Sequence, residues 1–452
     1  MKINLDLVPM REEGMTAYEL LLSESQERML VVAHKGREQE ILDVFEKWDL
    51  HAVVIGHVTD SEHVEYWKDG EIKARIPADS LVLGGGAPVY TREAVKPAYL
   101  AEKQGFDVDS LADNVPLKDR ILELMTSPNI ASKRWIFEQY DTMVRTNTVI
   151  GPGPSDAAVV RLKGTDKGLA VKTDCNGRFV YLNPRRGGQI AVVEAARNVV
   201  CAGGKPLAIT NCLNFGNPYK PENYWVFQEA VGGMGDACRV LDTPVTGGNV
   251  SFYNETPVSA VFPTPTIGML GLVENVERDA TTANFKAEGD AVIYIGAPRR
   301  GLGGSEYLSW CHKLVTGDAP ELDLAFEKSL QDSLLAAIRK GWIRSAHDIS
   351  DGGLATTLAE SCLFGGKGAT VDLAALGGAT REVLFSEAQS GVVISVDSSR
   401  VDDILTHFGL AGVPAHVLGT VGGSTLDIAG VSAIAVSDMA ELHGNAIRLK
   451  VS

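Results

Sequence analysis

Residues 2–8 alternate apolar and polar side chains, the period of a half-buried strand, whereas Arg37 to Trp48 places Ile41, Leu42 and Phe45 at helical spacing. Glu19 to Leu30 mixes the two signals, and residues 29–33 read as a strand. Residues 52–58 form a β-branched run, and Asp69-Gly70 is a hairpin turn signal between two alternating segments. The predicted order is β-α-β-β. Residues 391–436 repeat it, with Ala429-Gly430 at the corresponding turn.

The repetition extends to the residues themselves. Ser23-Glu24-Ser25-Gln26 recurs as Ser386-Glu387-Ala388-Gln389, 363 positions on, and the register holds without a gap for over thirty residues. Arg37 falls on Arg400, Ile41 on Ile404, Phe45 on Phe408 and Gly56 on Gly419. A helix and His347-Asp348-Ile349-Ser350-Asp351-Gly352-Gly353 precede the second copy, while only 22 residues precede Ser23. The expectation is a duplicated domain whose first copy begins midway, with part of the original protein absent. Ile3, Leu5 and Leu7, or their sheet neighbours, are then expected to present apolar surface that a missing segment normally covers.

Between the copies, residues 78–115 carry Gly84-Gly85-Gly86 and read as a linker, followed by helices near 117–126 and 129–142. After the turn cluster Gly151-Pro152-Gly153-Pro154 come strands at 157–162 and 168–173, a helix at 189–202 and a strand at 206–210. A long helix at 221–239 and strands near 243–246 and 257–272 follow. Glu288-Gly289-Asp290 opens the last domain with a strand at 291–295 and a helix at 324–340. The predicted division is 1–77, 78–150, 151–278 and 279–452, because 452 residues exceed what one core organises.

Composition narrows the partners. A net charge of −16 argues against a nucleic-acid backbone or an anionic membrane surface. No apolar run is long enough to span a bilayer, and acidic residues near the start exclude a secretory signal. Six scattered cysteines without a C-x-x-C pair suggest free thiols in a reducing cytoplasm. No histidine lies between 64 and 311, so the middle domain has no imidazole for proton transfer. No phosphate loop of the G-x-x-x-x-G-K-[ST] type is present.

Four strand ends carry candidate chemistry. In Thr246-Gly247-Gly248-Asn249-Val250-Ser251 the glycines let backbone N–H groups approach a phosphate, and the Asn249 carbonyl suits Mg²⁺; a bulged turn explains the same residues. Thr210-Asn211-Cys212-Leu213-Asn214-Phe215-Gly216-Asn217-Pro218 puts polar groups after a strand, as a ligand loop or as a capped loop before a helix. Thr173-Asp174-Cys175-Asn176-Gly177 reads as a turn or a Mg²⁺ carboxylate. His347 to Gly353 reads as a helix start capped by Ser350 or Asp351, or as a phosphate or Mg²⁺ loop.

Together with Asn129-Ile130-Ala131-Ser132-Lys133-Arg134-Trp135 and Glu24-Ser25-Gln26, these motifs resemble the large subunit of phosphoribosylformylglycinamidine synthase over essentially the whole chain. The resemblance implies an α/β (α+β) fold of tandem PurM-like pairs, each a two-layer A domain followed by a B domain. Residues 1–77 would be the end of a first B domain, 78–150 a linker, 151–278 the second A domain and 279–452 the second B domain. It implies a cytoplasmic ligase of purine biosynthesis that uses ATP and Mg²⁺. An oxygen of formylglycinamide ribonucleotide is activated as an iminophosphate, and ammonia displaces phosphate to give the amidine. A glutaminase subunit (PurQ), a small accessory subunit (PurS) and the missing N-terminal half are the implied partners. Residue by residue, Glu24, Ser25, Gln26 and Ser251 would contact substrate, Asn211 and Gly248 ATP, and Asn249 Mg²⁺. Asn211 departs from the family's usual aspartate. The family's catalytic histidines have no counterpart here, and His347 belongs to the second, auxiliary copy. The chain alone is therefore expected to be inactive; the rival expectation is a scaffold that binds nucleotide only at the auxiliary site.

Overall fold

The computed structural model describes residues 1–24, 28–108, 110–298 and 300–451. They separate into two compact units, Met1–Thr91 and Arg92–Ser452.

The first unit runs β1 (Lys2–Asn4), α1 (Ala17–Leu22), α2 (Glu38–Lys47), β2 (Gly56–His57), β3 (His63–Lys68) and β4 (Glu71–Pro77), with sheet order β2-β1-β3-β4. Thr16 and Glu19 form a capping box that starts α1, and Asp69-Gly70 makes the predicted turn between β3 and β4. Ile3, Leu5 and Leu20 are its buried core, so Ile3 and Leu5 do not present the expected apolar surface, whereas Leu7 and, in the same sheet, Ile72 are exposed. The strand predicted over 2–8 stops at Asn4, where a short 3₁₀ turn begins.

Two further strand expectations fail here for a shared reason. Residues 29–33 form no strand, and only Gly56–His57 of residues 52–58 pair. In the second copy the equivalent of residues 29–33 is flanked by two ladder partners. Among the described residues of the first unit nothing pairs with 29–33, and a strand without a ladder leaves its backbone groups to water. Met29 is accordingly 81% exposed, whereas its counterpart Val392 is fully buried.

The second unit opens with α3 (Tyr99–Gln104), α4 (Leu117–Leu124) and α5 (Arg134–Phe137), the last much shorter than the helix predicted over 129–142. It continues with β5 (Thr148–Ile150), β6 (Ala158–Arg161), β7 (Gly168–Asp174), α6 (Gly177–Leu182), α7 (Pro184–Cys201), β8 (Lys205–Asn214), α8 (Pro221–Leu241), β9 (Val245–Ser251), β10 (Thr264–Val273) and α9 (Val276–Asp279). The six strands order as β5-β6-β7-β10-β8-β9. Asn183 caps α7 and Pro184 occupies its first turn. Residues Ile209, Ile267, Met269 and Ala170 alternate onto the side packed against α7 and α8, giving a two-layer core. The opposite face carries half-exposed Val160, Val171 and Leu270.

The remainder is β11 (Ala291–Gly296), α10 (Leu324–Arg339), β12 (Ile343–Asp348), α11 (Gly353–Gly365), β13 (Ala369–Val371), α12 (Thr380–Phe385), β14 (Gly391–Val396), α13 (Val401–Leu410), β15 (Ala415–Val421), β16 (Thr425–Ile428), β17 (Ile434–Ala435) and α14 (Val436–Val451). The seven strands order as β12-β14-β11-β15-β13-β16-β17. Both faces of this sheet are covered. Ile293, Ile295, Val392 and Ile394 pack toward α10 and α13, while Val292, Tyr294 and Val393 pack toward α11. That is why β11 and β14 read as continuous apolar runs rather than alternating ones. The fold is α/β (α+β), as the resemblance implied.

Candidate functional site

β9 pairs in parallel with β8 and forms the open edge of the six-stranded sheet. The register puts Asn211 beside Gly248, Cys212 beside Asn249 and Asn214 beside Ser251. Four sequence-predicted residues thus share the paired ends of two strands, where backbone and side-chain groups converge on solvent.

The pleat divides them. Asn211 follows Ile209 and precedes Leu213, both buried, so it lies on the helix-covered side, and Gly248 beside it shares that side. Asn249 and Ser251 fall on the open face with Thr210, Cys212 and Asn214. Gly248 has φ +152, and a Cβ there would collide with the side-chain and backbone oxygens of Asn211. Only glycine permits this close approach of β8 and β9. Asn249 is exposed, and its side-chain amide makes no hydrogen bond with the described residues, so its oxygen is available to a hard cation. Ser251 sits at the turn into residues 252–263, where Asn254 Nδ2 donates to Ser251 O (2.8 Å) and to Phe215 O (3.1 Å).

Asp174, Ile267, Asn211 and Gly248 form one row across the sheet. Burial raises the Asp174 carboxyl above its ordinary value, with Lys172 and Arg197 opposing. Asn176 caps α6 and also donates from Nδ2 to Asp351 (3.1 Å), so this motif ends as a cap tied to the second sheet domain. Glu24 is exposed in the first unit; Ser25 and Gln26 lie outside the described residues.

A second group lies where α7 meets β12 and α11. His347 Nδ1 is 2.6 Å from Asp156 Oδ1 and Nε2 is 2.9 Å from Glu360 Oε2. Asp156 Oδ2 also accepts from the Asp348 amide (2.9 Å). The two carboxylates hold the His347 imidazolium well above its usual range against the cost of burial, and against the same cost His347 and the Asp348 amide lower Asp156 in turn. Donor atoms of Asp156, His347 and Asp348 lie within 4.8 Å of one another, as a cation site would need. With both His347 nitrogens already occupied, a hydrogen-bonded ion pair accounts for them. Arg197, fully buried, reaches Glu327 (3.0 Å), Gln389 (3.0 Å) and Asp348 (3.5 Å). Burial and the neighbouring Asp156 push Asp348 up to about 7.

The start of α11 corrects one expectation. Its cap is Gly352 with φ +83, with no side-chain bond from Ser350 or Asp351; instead the Glu387 carboxylate accepts from the Gly352 amide (2.7 Å) and the Glu306 amide (2.6 Å). Glu387 is the repeat partner of Glu24; Glu387 is buried in the second unit, whereas Glu24 is exposed in the first. Sequence reasoning passed over Arg197, Glu194 and Glu327. Arg197 and Glu194 sit inside the apolar run of α7, and charges there were the available signal.

Comparison with known proteins agrees with this architecture. The model for AIR synthase related protein, N-terminal domain, matches residues 154–273, and the model for its C-terminal domain matches residues 1–68 and 287–431. The phosphoribosylformylglycinamidine synthase subunit PurL of Chlorobaculum tepidum is 52% identical over 460 residues, covering 99% of this chain and 60% of that protein. T. maritima PurL complexed with ATP matches with a TM-score of 0.59 at 26% identity, over 93% of this chain and 59% of that one. The same protein complexed with FGAR matches with a TM-score of 0.60 at 18% identity, over 76% and 55%, which speaks to fold alone. The chain spans about three fifths of the length of the curated relatives it matches. With an N-terminal-type domain set between two segments of the C-terminal type, and a PurL relative identical at about half of the aligned positions, the chain belongs to the AIR synthase related family, on its PurL branch.

Proposed function

We propose that this chain takes part in converting formylglycinamide ribonucleotide, ATP and ammonia to formylglycinamidine ribonucleotide, ADP and phosphate. The observation that carries the reading is the β8–β9 register, which gathers Asn211, Gly248, Asn249 and Ser251 at one open edge. In this reading Gly248 lets the nucleotide phosphates approach the backbone, and Asn211 supplies a neutral amide beside them. Asn249 offers one oxygen to Mg²⁺, which would neutralise phosphate charge when bound. Ser251 contacts the ribonucleotide; Glu24, Ser25 and Gln26 are assigned to substrate contact separately, by the family resemblance. Ammonia comes from a glutaminase subunit, with a small accessory subunit in the assembly. The domain division at 77, 150 and 278 belongs to the same proposal. An ATP-bound PurL structure at 26% identity supports the nucleotide, and a PurL relative at 52% identity supports the reaction.

The test is amidine formation by the protein in the length in which it is made, with ATP, Mg²⁺, ammonia and formylglycinamide ribonucleotide. Turnover that needs all four is expected. Asn249→Ala should weaken Mg²⁺-dependent nucleotide binding by about 1–3 kcal/mol, the cost of losing a polar contact to a charged partner. Turnover without ATP, or an unchanged Mg²⁺ requirement in Asn249→Ala, would sink the assignment.

A further inference from the structure

The end of β9 is held by one side chain. Asn254 Nδ2 lies 2.8 Å from Ser251 O and 3.1 Å from Phe215 O, and both are carbonyls that can only accept. The NH₂ group must therefore face them, which fixes the amide orientation. Its two hydrogens face these carbonyls, with Ser251 Oγ a third acceptor at 3.1 Å. Asn254 Oδ1 is left 3.3 Å from Ser251 Oγ, as acceptor for the hydroxyl proton. The backbone repeats the clamp, because Phe215 N donates to Ser251 O (3.0 Å) and Asn254 N donates to Phe215 O (3.1 Å). Between the two residues, Tyr253 is held at φ +61, left-handed and exposed. Such strain persists only where the surroundings over-determine it.

We propose that Asn254 is a positioning residue that turns the Ser251 hydroxyl proton inward, so that Ser251 meets the substrate as a hydrogen-bond acceptor. This rests on the reading that Ser251 touches the ribonucleotide, and it narrows what Ser251 touches. An ionised phosphate offers only acceptors and cannot satisfy an inward-turned hydroxyl. Ser251 therefore takes a neutral donor of the ribonucleotide, an amide N–H or a ribose hydroxyl.

Steady-state kinetics with formylglycinamide ribonucleotide, on the protein in the length in which it is made, test this. Ser251→Ala and Asn254→Ala should each raise KM about three- to tenfold with kcat within about twofold, the loss of one neutral hydrogen bond. The double variant should show no more than the larger single effect, because both remove the same contact. Asn254→Asp keeps the acceptor and loses the donors, so it should lower Tm while holding KM within about twofold of the unvaried protein. That variant keeps the question open to test if Asn254→Ala does not fold. Multiplying effects in the double variant, or a KM in Asn254→Asp raised as far as in Ser251→Ala, would overturn the positioning role while leaving the function intact. An unvaried protein with no ribonucleotide-dependent turnover overturns both.

Discussion

At the scale of single residues, buried charge shapes this molecule more than any exposed motif. Asp348 shows how that reads out in pH. Its carboxyl ordinarily titrates at 3.8 and in the folded protein at about 7, because burial and Asp156 disfavour its charge more than Arg197 and His347 favour it. The folded state therefore keeps a proton that the unfolded chain releases. The stability this contributes is present below about pH 4 and is lost as pH rises toward 7. His347, raised above its ordinary 6.5, works in the same direction; its contribution is present below 6.5 and is lost as pH rises through its folded value. Asp156, lowered, opposes only below 3.8. Thermal unfolding from pH 5 to pH 8 should thus show Tm falling, by a few kcal/mol of stability at the order of magnitude set by such shifts. Asp348→Asn should flatten that fall. A variant whose slope matches the unvaried protein would mean that Asp348 is ionised throughout. Little of this was legible in sequence, since Arg197, Glu327 and Gln389 meet only through tertiary packing of α7, α10 and the β14 approach. The polar strand ends were legible, because Gly-Gly-Asn and Asn-Phe-Gly runs interrupt apolar strands. Their split between the two faces of the sheet was not, because it depends on a bulge between Ile209 and Thr210 that shifts the register.

At the scale of elements, the repeat gives a controlled comparison. Residues 391–410 carry the strand and helix that the pattern predicts, with β14 paired on both sides. Residues 29–33 have nearly the same apolar character and form no strand. Period and propensity were read correctly in both places; what differs is the supply of neighbours, which no local pattern encodes. Hydrogen exchange on this chain should follow the neighbours. Amides at 29–33 should exchange near the rate of an open chain, whereas those at 392–396 should be slower by on the order of a thousandfold or more, as buried ladder amides are. Equal protection in the two copies would mean that another segment covers residues 29–33. The same contrast explains Glu24 and Glu387. Buried, Glu387 clamps the backbone amides of Glu306 and Gly352; Glu24 is exposed, and its carboxylate makes no hydrogen bond with the described residues.

At the scale of the whole molecule, the central claim is that the open β8–β9 edge, rather than the sealed charged interior around His347, faces ATP, Mg²⁺ and the ribonucleotide. Both places are polar, and both lie near strand ends of an α/β architecture. They differ in what is free: the Asn249 side-chain amide has no hydrogen-bond partner among the described residues, while both nitrogens of His347 are paired with carboxylates. The chain's acidic balance of −16 makes a metal-bridged phosphate more favourable than a bare one at either place. No helix among the described residues is long and apolar enough to cross a membrane. The measurement that separates the two places most directly is a crystal structure of the protein, in the length in which it is made, with a non-hydrolysable ATP analogue, Mg²⁺ and formylglycinamide ribonucleotide. The account predicts Mg²⁺ about 2.1 Å from Asn249 Oδ1, phosphates against Gly248 and the ribonucleotide within hydrogen-bond reach of Ser251. Nucleotide and metal bound only beside Asp351 and His347, with the β8–β9 edge bare, would contradict it.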